Sequence, residues 1–325
     1  MHLPVMLPEV LTALSPRDGE TYLDGTFGNG GYTEAFLRAA DCNLIALDRD
    51  PTVKVREDEL ARSFANRFRL IETSFSQMDN LGLDKVDAVI LDIGVSSMQL
   101  DQAERGFSFM RSGPLDMRMS KSGPTAADAV NSLSVDDLSR VFRVYGEERR
   151  ATQAAKIIDR ARSEQKLLTT DGLSNLIEKA FGRRGKTHPA TRIFQALRIF
   201  INDELAELFY GLCAAERMLK PAGRLIVVTF HSLEDRIVKK FLQSRALIPS
   251  SGSRYAPEVK QNFPELSFSM PRKAVVKPSH SEIEANPRSR SAKLRMAIRT
   301  KALAIEPSVD LLPKAPRLTD YKWVS

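Results

Sequence analysis

Residues 24–32 read Asp24-Gly25-Thr26-Phe27-Gly28-Asn29-Gly30-Gly31-Tyr32, following a short strand-like segment and leading into a helical one. Glycines at a strand-to-helix turn let the backbone approach a ligand closely and aim unbonded N–H groups at it. A tight turn also needs glycine, so the loop gains weight from Asp48. That acid ends the next strand-like segment, 18 residues past Gly30, where an acid accepts both ribose hydroxyls of a bound nucleoside. Strand, loop, helix, strand and acid thus occur in the order that a nucleoside cofactor requires. A dinucleotide fingerprint would read G-x-G-x-x-G, but after Gly28 and Gly30 the third slot is Thr33.

The acid before the glycines, Asp24, suits a ligand carrying an ammonium and a sulfonium better than a pyrophosphate. The loop resembles the acid-x-G-x-G-x-G loop of class I S-adenosylmethionine-dependent methyltransferases, aligned on Asp24, Thr26, Gly28 and Gly30, with Thr26 departing. Asp92 ends a fourth strand-like run at Leu91-Asp92-Ile93-Gly94. Ligands of open α/β sheets sit at the carboxyl ends of strands, which puts Asp92 beside the cofactor, with a loop cap as the alternative; Asp92 is also the candidate for the catalytic residue. Methylation at cytosine C5 needs a nucleophilic cysteine after this strand, and none is there. Cys42 and Cys213, the only two cysteines, read as small core residues. Methylation of an exocyclic amine needs an acceptor for the N–H and close placement of the methyl donor instead. The acid-or-Asn-Pro-Pro-aromatic loop usual for amino-methyltransferases is absent, which leaves the acceptor open.

His231-Ser232 has no G-x-S-x-G elbow beside it, so Ser232 is expected to cap a helix with Asp235 and His231 to be a packed histidine. Arg183-Arg184-Gly185-Lys186 could touch phosphate or be an exposed loop. Two cysteines exclude a disulfide framework and point to a reducing cytoplasm, and four scattered histidines with no paired Cys or His spacing argue against a protein-ligated zinc site. The net charge of +7 is not evenly spread. Between Pro271 and Lys301 nine Lys or Arg residues face only Glu282 and Glu284, so this one stretch carries the whole excess. A concentrated excess reads as an anion-binding surface, with a solvated face as the alternative.

Positioning such residues takes an α/β sheet. Strands are expected at residues 21–24, 43–48, 67–72 and 86–93, the last a near-continuous apolar run suited to a strand covered on both faces. The next strong strand is 223–230, and 129 residues lie between Ile93 and Gly223, far more than a crossover needs. The gap is helical in pattern, with Leu138, Val141, Phe142 and Tyr145 on one face behind a Ser134/Asp137 capping box, and Leu173, Leu176, Ile177 and Ala180 on another. Leu205, Leu208, Phe209, Leu212 and Leu219 form a third stripe, belonging to the sheet domain. The expected organisation is therefore a sheet domain of residues 1–109 and 201–325 around an all-helical insertion at 110–200. The alternating Leu294, Met296 and Ile298 suggest a final strand, and the last twenty residues a poorly ordered tail. No run approaches the ~20 apolar residues of a membrane span, and the start lacks the pattern of a signal peptide.

Taken together, these residues resemble the ribosomal RNA small subunit methyltransferase H family. The likeness runs from about His2 to Arg299 and is carried by residues 24–32, 46–51, 91–101, 105–109 continuing to 113–119, 188–198, 230–236 and 286–295. It implies a class I methyltransferase sheet, mostly parallel and Rossmann-like, with the helical insertion taking part in substrate recognition. It implies methylation of N4 of a decoding-centre cytidine in 16S rRNA, with S-adenosylmethionine as cofactor, the small ribosomal subunit as partner and a homodimer allowed. By motif position the cofactor contacts would be Gly30, Gly31, Tyr32, Asp48, Phe75, Asp92 and Gln99. Phe75 also fits on its own terms, since an aromatic after the third strand can stack on adenine. Tyr32 departs from the family's usual His, and Lys220-Pro221-Ala222-Gly223 has Ala where a second Gly is common. Arg288, Arg290, Lys293 and Arg295 in the basic stretch would meet the RNA backbone. A non-catalytic RNA-binding or assembly factor, and a nicotinamide-dependent oxidoreductase, are the competing readings. The intact loop with Asp48 opposes the first, and Thr33 opposes the second.

Overall fold

A computed structural model describes residues 4–183, 188–246 and 265–323. The strands are β1 (Thr21–Asp24), β2 (Asn43–Asp48), β3 (Phe68–Glu72), β4 (Val86–Asp92), β5 (Leu219–Thr229), β6 (Phe268–Ser269), β7 (Val275–Val276) and β8 (Lys293–Arg299). They form one sheet in the order β3-β2-β1-β4-β5-β8-β6, with β7 also on β8. β1 to β5 are mutually parallel, and β8 runs antiparallel to β5, β6 and β7. This is the mostly parallel sheet of a class I methyltransferase. From β1 the chain winds outward to β2 and β3, then returns to β4 on β1's other side. The carboxyl ends of β1 and β4 therefore flank a topological switch point, where such sheets bind ligands.

The inner strands are apolar because both faces are covered. Tyr22, Leu23, Val89, Ile90, Leu91, Ile226 and Val227 have no exposed surface. The covering helices α1 (Leu7–Leu14), α2 (Gly31–Ala39), α3 (Lys54–Ser63) and α11 (Ser232–Ala246) bury Leu14, Phe36, Leu60 and Phe241. β5 starts earlier than the expected Gly223. Val86 pairs with Leu219 and Ala88 with Arg224, so residues 220–223 bulge out of the strand, with Ala222 at φ 66°. Pro221 has no N–H to give the ladder, which accounts for the excursion.

The chain divides into two compact units, residues 1–94 with 207–311, and 95–206 with 312–325. The second is all-helical: α4 (Ser97–Asp101), α5 (Ala126–Ser132), α6 (Val135–Tyr145), α7 (Ala151–Glu164), α8 (Thr170–Phe181) and α9 (Thr191–Asn202). α10 (Glu204–Met218) carries the chain from it into the sheet unit. In α6, Leu138, Val141, Phe142 and Tyr145 are buried and Ser134 accepts the Asp137 N–H, the expected cap. This unit begins before 110 because the preceding loop folds with it: Arg105 Nη2 donates to the carbonyls of Arg118 and Met119. Among the described residues of the expected tail, 316–323 pack within the helical unit rather than trailing loose. Tyr145 Oη donates to Pro316 O at 2.9 Å, Arg317 pairs with Asp203, and Phe200 meets Tyr321 and Trp323 edge-on. The tail's prolines go with short 3-10 turns (Val309–Leu311 and Leu318–Asp320) in place of α-helix or strand, but they do not prevent aromatic side chains from packing. Among the described residues no helix is long and apolar enough to cross a membrane.

Candidate cofactor site

Three acids end three parallel strands of the sheet unit, and the glycine loop ties them together. Asp24, at the end of β1, is 1% exposed; Oδ1 accepts the Thr26 N–H (3.1 Å) and Oδ2 the Thr33 hydroxyl (2.8 Å). Burial pushes its carboxyl up to about 6 despite those bonds. Asp48, at the end of β2, accepts the Gly28 N–H on Oδ2 (2.7 Å) and the Asp50 N–H on Oδ1 (2.8 Å). Burial raises this carboxyl too, and the two bonds offset it only in part. Asp92, at the end of β4, donates its own N–H to Thr26 Oγ1 at 2.7 Å. Its Oδ1 is enclosed and meets no donor among the described residues. Burial first, then the nearby charges of Asp24 and Glu234, push Asp92 well above the usual carboxylate range.

Thr26 and Thr33 are the residues that depart from glycine fingerprints, and each departure is a hydroxyl placed on an acid or on an acid's backbone. Sequence reasoning missed both roles, although the departures themselves were the signal. It also missed Glu234, fully buried, whose Oε2 accepts the N–H groups of Phe230 and His231 at the start of α11. The expectation placed Ser232 and Asp235 at that start, and the Asp235 carboxylate there holds Lys293 and Arg295. His231 packs as expected, with Nε2 2.9 Å from Glu234 Oε1.

Gly30 holds φ 67° just before α2, and a Cβ there would stand 2.9 Å from Leu60 Cδ1 and Phe27 Cε2. Gly31 and Tyr32 begin the helix, where the first N–H groups have no intrahelical partner. The Tyr32 side chain points away from a ligand role: it is 4% exposed, stacks on Phe36 and donates its hydroxyl to Val5 O. Phe75, half-buried, begins the turn after β3, and a Cβ on Gly25 would stand 3.0 Å from its Cβ. Gln99 lies in the helical unit, 6% exposed, where it forms the α4 capping box with Ser96.

The basic segment divides in two. Arg288 and Arg290 are exposed on the turn Pro287–Ser291, but Lys293 Nζ and Arg295 Nε each lie 2.7 Å from the Asp235 carboxylate, and Arg295 is buried. Arg299 is buried as well, donating to the carbonyls of Glu216 and Ser267. What takes Lys293 and Arg295 is an acid of α11, the helix that packs on β8, and what takes Arg299 is backbone carbonyls of neighbouring segments. Arg183 pairs with Glu178, and residues 184–187 lie outside the described residues.

The residues fit the cofactor that the sequence points to. An acid ending β2, an aromatic after β3, open N–H groups at α2 and an enclosed, donorless carboxylate oxygen ending β4 would suit a cationic nucleoside.

Comparison with known proteins adds the lineage. Residues 1–300 match the MraW methylase family. The chain is 56% identical over 316 residues to a protein of Maricaulis maris named ribosomal RNA small subunit methyltransferase H, covering 95% of this chain and 94% of that one. A protein of the same name from Brucella anthropi is 51% identical over 329 residues, covering 98% and 94%. With the acids, the glycine loop and the strand order in place, the chain belongs to the MraW methylase family.

Proposed function

We propose that this protein transfers a methyl group from S-adenosylmethionine to the N4 amine of a decoding-centre cytidine in 16S rRNA of the small ribosomal subunit, in the cytoplasm. The observation that carries the chemistry is the enclosed Asp92 oxygen at the switch point, in a chain whose relatives bear the name of a small-subunit rRNA methyltransferase. S-adenosylmethionine, when bound, supplies an electrophilic methyl group on a sulfonium. The chain's own part is positioning and charge. Asp48 takes the ribose hydroxyls on lone pairs left over by Gly28 and Asp50, and Phe75 stacks on adenine. The N4 lone pair of cytosine is delocalised into the ring, so an acceptor on its N–H must help to localise it. Asp92 Oδ1 has that capacity unspent, and burial favours proton uptake there. The helical unit and the exposed Arg288 and Arg290 would hold the RNA backbone.

The test is methyl transfer from labelled S-adenosylmethionine to small subunits from a strain lacking this gene, followed by nucleoside analysis. Label in N4-methylcytidine is the expected result. Label in another nucleoside would overturn the target but keep the methyltransferase. Cofactor binding without any label would favour a non-catalytic assembly factor.

A further inference from the structure

Gly211 lies well inside α10, where glycine is the poorest helix former apart from proline. Its reason is local. A Cβ at that position would stand 2.3 Å from both Cδ2 and Cε2 of Phe75, so the bare helix is the surface on which the ring rests. Four residues earlier, and so on the same face of α10, Glu207 accepts the Ser76 N–H through Oε1 at 3.0 Å. That bond holds the turn Phe75–Asn80 against the helix. From the other side, Gly25 of the cofactor loop brings its backbone against Phe75 Cβ and Leu91. The ring is therefore gripped by the loop, by its own neighbour's backbone and by the gap in α10.

We propose that Gly211 and Glu207 are positioning residues of the adenine site, setting the plane on which Phe75 meets the base. The inference rests on Phe75 being the stacking aromatic. A side chain at 211 would drive the ring away from α10, toward the space that the adenine needs. Loss of the Glu207 acceptor would free the turn that carries the ring.

The experiment is calorimetry on the full chain with S-adenosylhomocysteine and with 5′-methylthioadenosine, which keeps the nucleoside and lacks the amino acid. Base–aromatic stacking sets the scale: Phe75→Ala should weaken both ligands by about five- to a hundredfold. Gly211→Ala should weaken both by about tenfold, raising KM for the cofactor while kcat at saturation holds. In the Phe75→Ala background the same change should leave affinity unmoved and raise the melting temperature, because the clash is gone and the helix gains. Glu207→Ala should lower affinity, and Glu207→Gln, which keeps an acceptor for Ser76, should restore it. Gly211→Ala binding both ligands as wild type does, or losing as much without the ring as with it, would overturn the proposal. Wild-type affinity in Phe75→Ala would instead overturn the stacking role itself, whatever Gly211 does.

Discussion

The two ends of the parallel sheet treat their acids in opposite ways. At the amino ends, Glu20 is clasped by the Arg224 guanidinium and accepts the Tyr22 hydroxyl at 2.7 Å. Asp87 there takes the Thr21 N–H and the Lys220 ammonium, each at 2.9 Å. Burial alone would lift the Glu20 carboxyl, but the bonds from Arg224 and Tyr22 outweigh it and hold the group below its ordinary value. At the carboxyl ends, Asp24 and Asp92 have no ion pair among the described residues, and Asp48 has only backbone N–H partners. All three are pushed up. A protein optimised for stability alone would neutralise both ends. Leaving one end costly marks where a ligand's charge and hydrogen bonds are to be received.

The largest expected effect is at Asp48. Asp48→Ala removes the anchor of the glycine loop and the acceptor proposed for two ribose hydroxyls, so cofactor affinity should fall roughly a thousandfold, about 4 kcal/mol. Calorimetry returning wild-type affinity would break the comparison, because that end would then receive nothing. Next comes a contrast in sign. Asp24 is raised from 3.8 to about 6, so between those values the folded protein keeps a proton that the unfolded chain has lost. Stability therefore falls as pH rises through that window, by about 3 kcal/mol. Asp24→Asn should gain on wild type from pH 4 to 6 and hold its advantage above. Glu20, lowered in the folded state, contributes stability above its unfolded value that is lost as pH falls through its folded one. Glu20→Gln should therefore trail wild type at neutral pH and draw level in acid. Thermal melts of both variants across pH 3–8 check the pair, and parallel profiles would erase the difference between the ends.

The sequence made much of the carboxyl end legible. β1, β2 and β4 are where their apolar runs put them, and Asp24, Asp48 and Asp92 follow from strand ends. What stayed hidden is what depends on distant partners. Thr26 and Thr33 look like mere departures until Asp92 and Asp24 stand beside them. Lys293 and Arg295 count as surface charge until Asp235, some 60 residues earlier, takes both. A lone helical glycine such as Gly211 says nothing until the Phe75 ring is seen against it.

Those spent cations extend the comparison to the basic stretch. Arg295→Ala leaves a carboxylate short of a buried partner and should cost about 2 kcal/mol of stability, without changing how subunit binding depends on salt. Replacing exposed Arg288 and Arg290 by Ala should do the reverse, lowering the salt slope of subunit binding by about 1–2 with stability within roughly 0.5 kcal/mol. Filter binding at graded salt beside thermal melts separates them. An unchanged slope in the double variant would remove these arginines from the RNA surface.

The smallest effect tests whether the amino end can be improved without touching the site. Ala222 holds φ 66° in the bulge at the start of β5, a conformation that costs an L residue about 1–2 kcal/mol. Glycine would remove that strain but add conformational entropy to the unfolded chain, worth about 0.4–1 kcal/mol in the other direction. The balance favours Ala222→Gly by roughly 0.5 kcal/mol, about one degree in Tm for a chain of this size. The bulge opens at the amino end of the sheet, whereas Asp48 and Asp92 sit at its carboxyl ends, so cofactor affinity should not move. A Tm that rises with unchanged affinity for S-adenosylhomocysteine would show the two ends to be energetically separate. A loss of affinity would mean that strain at the start of β5 is transmitted along the strand to the acids beside its far end.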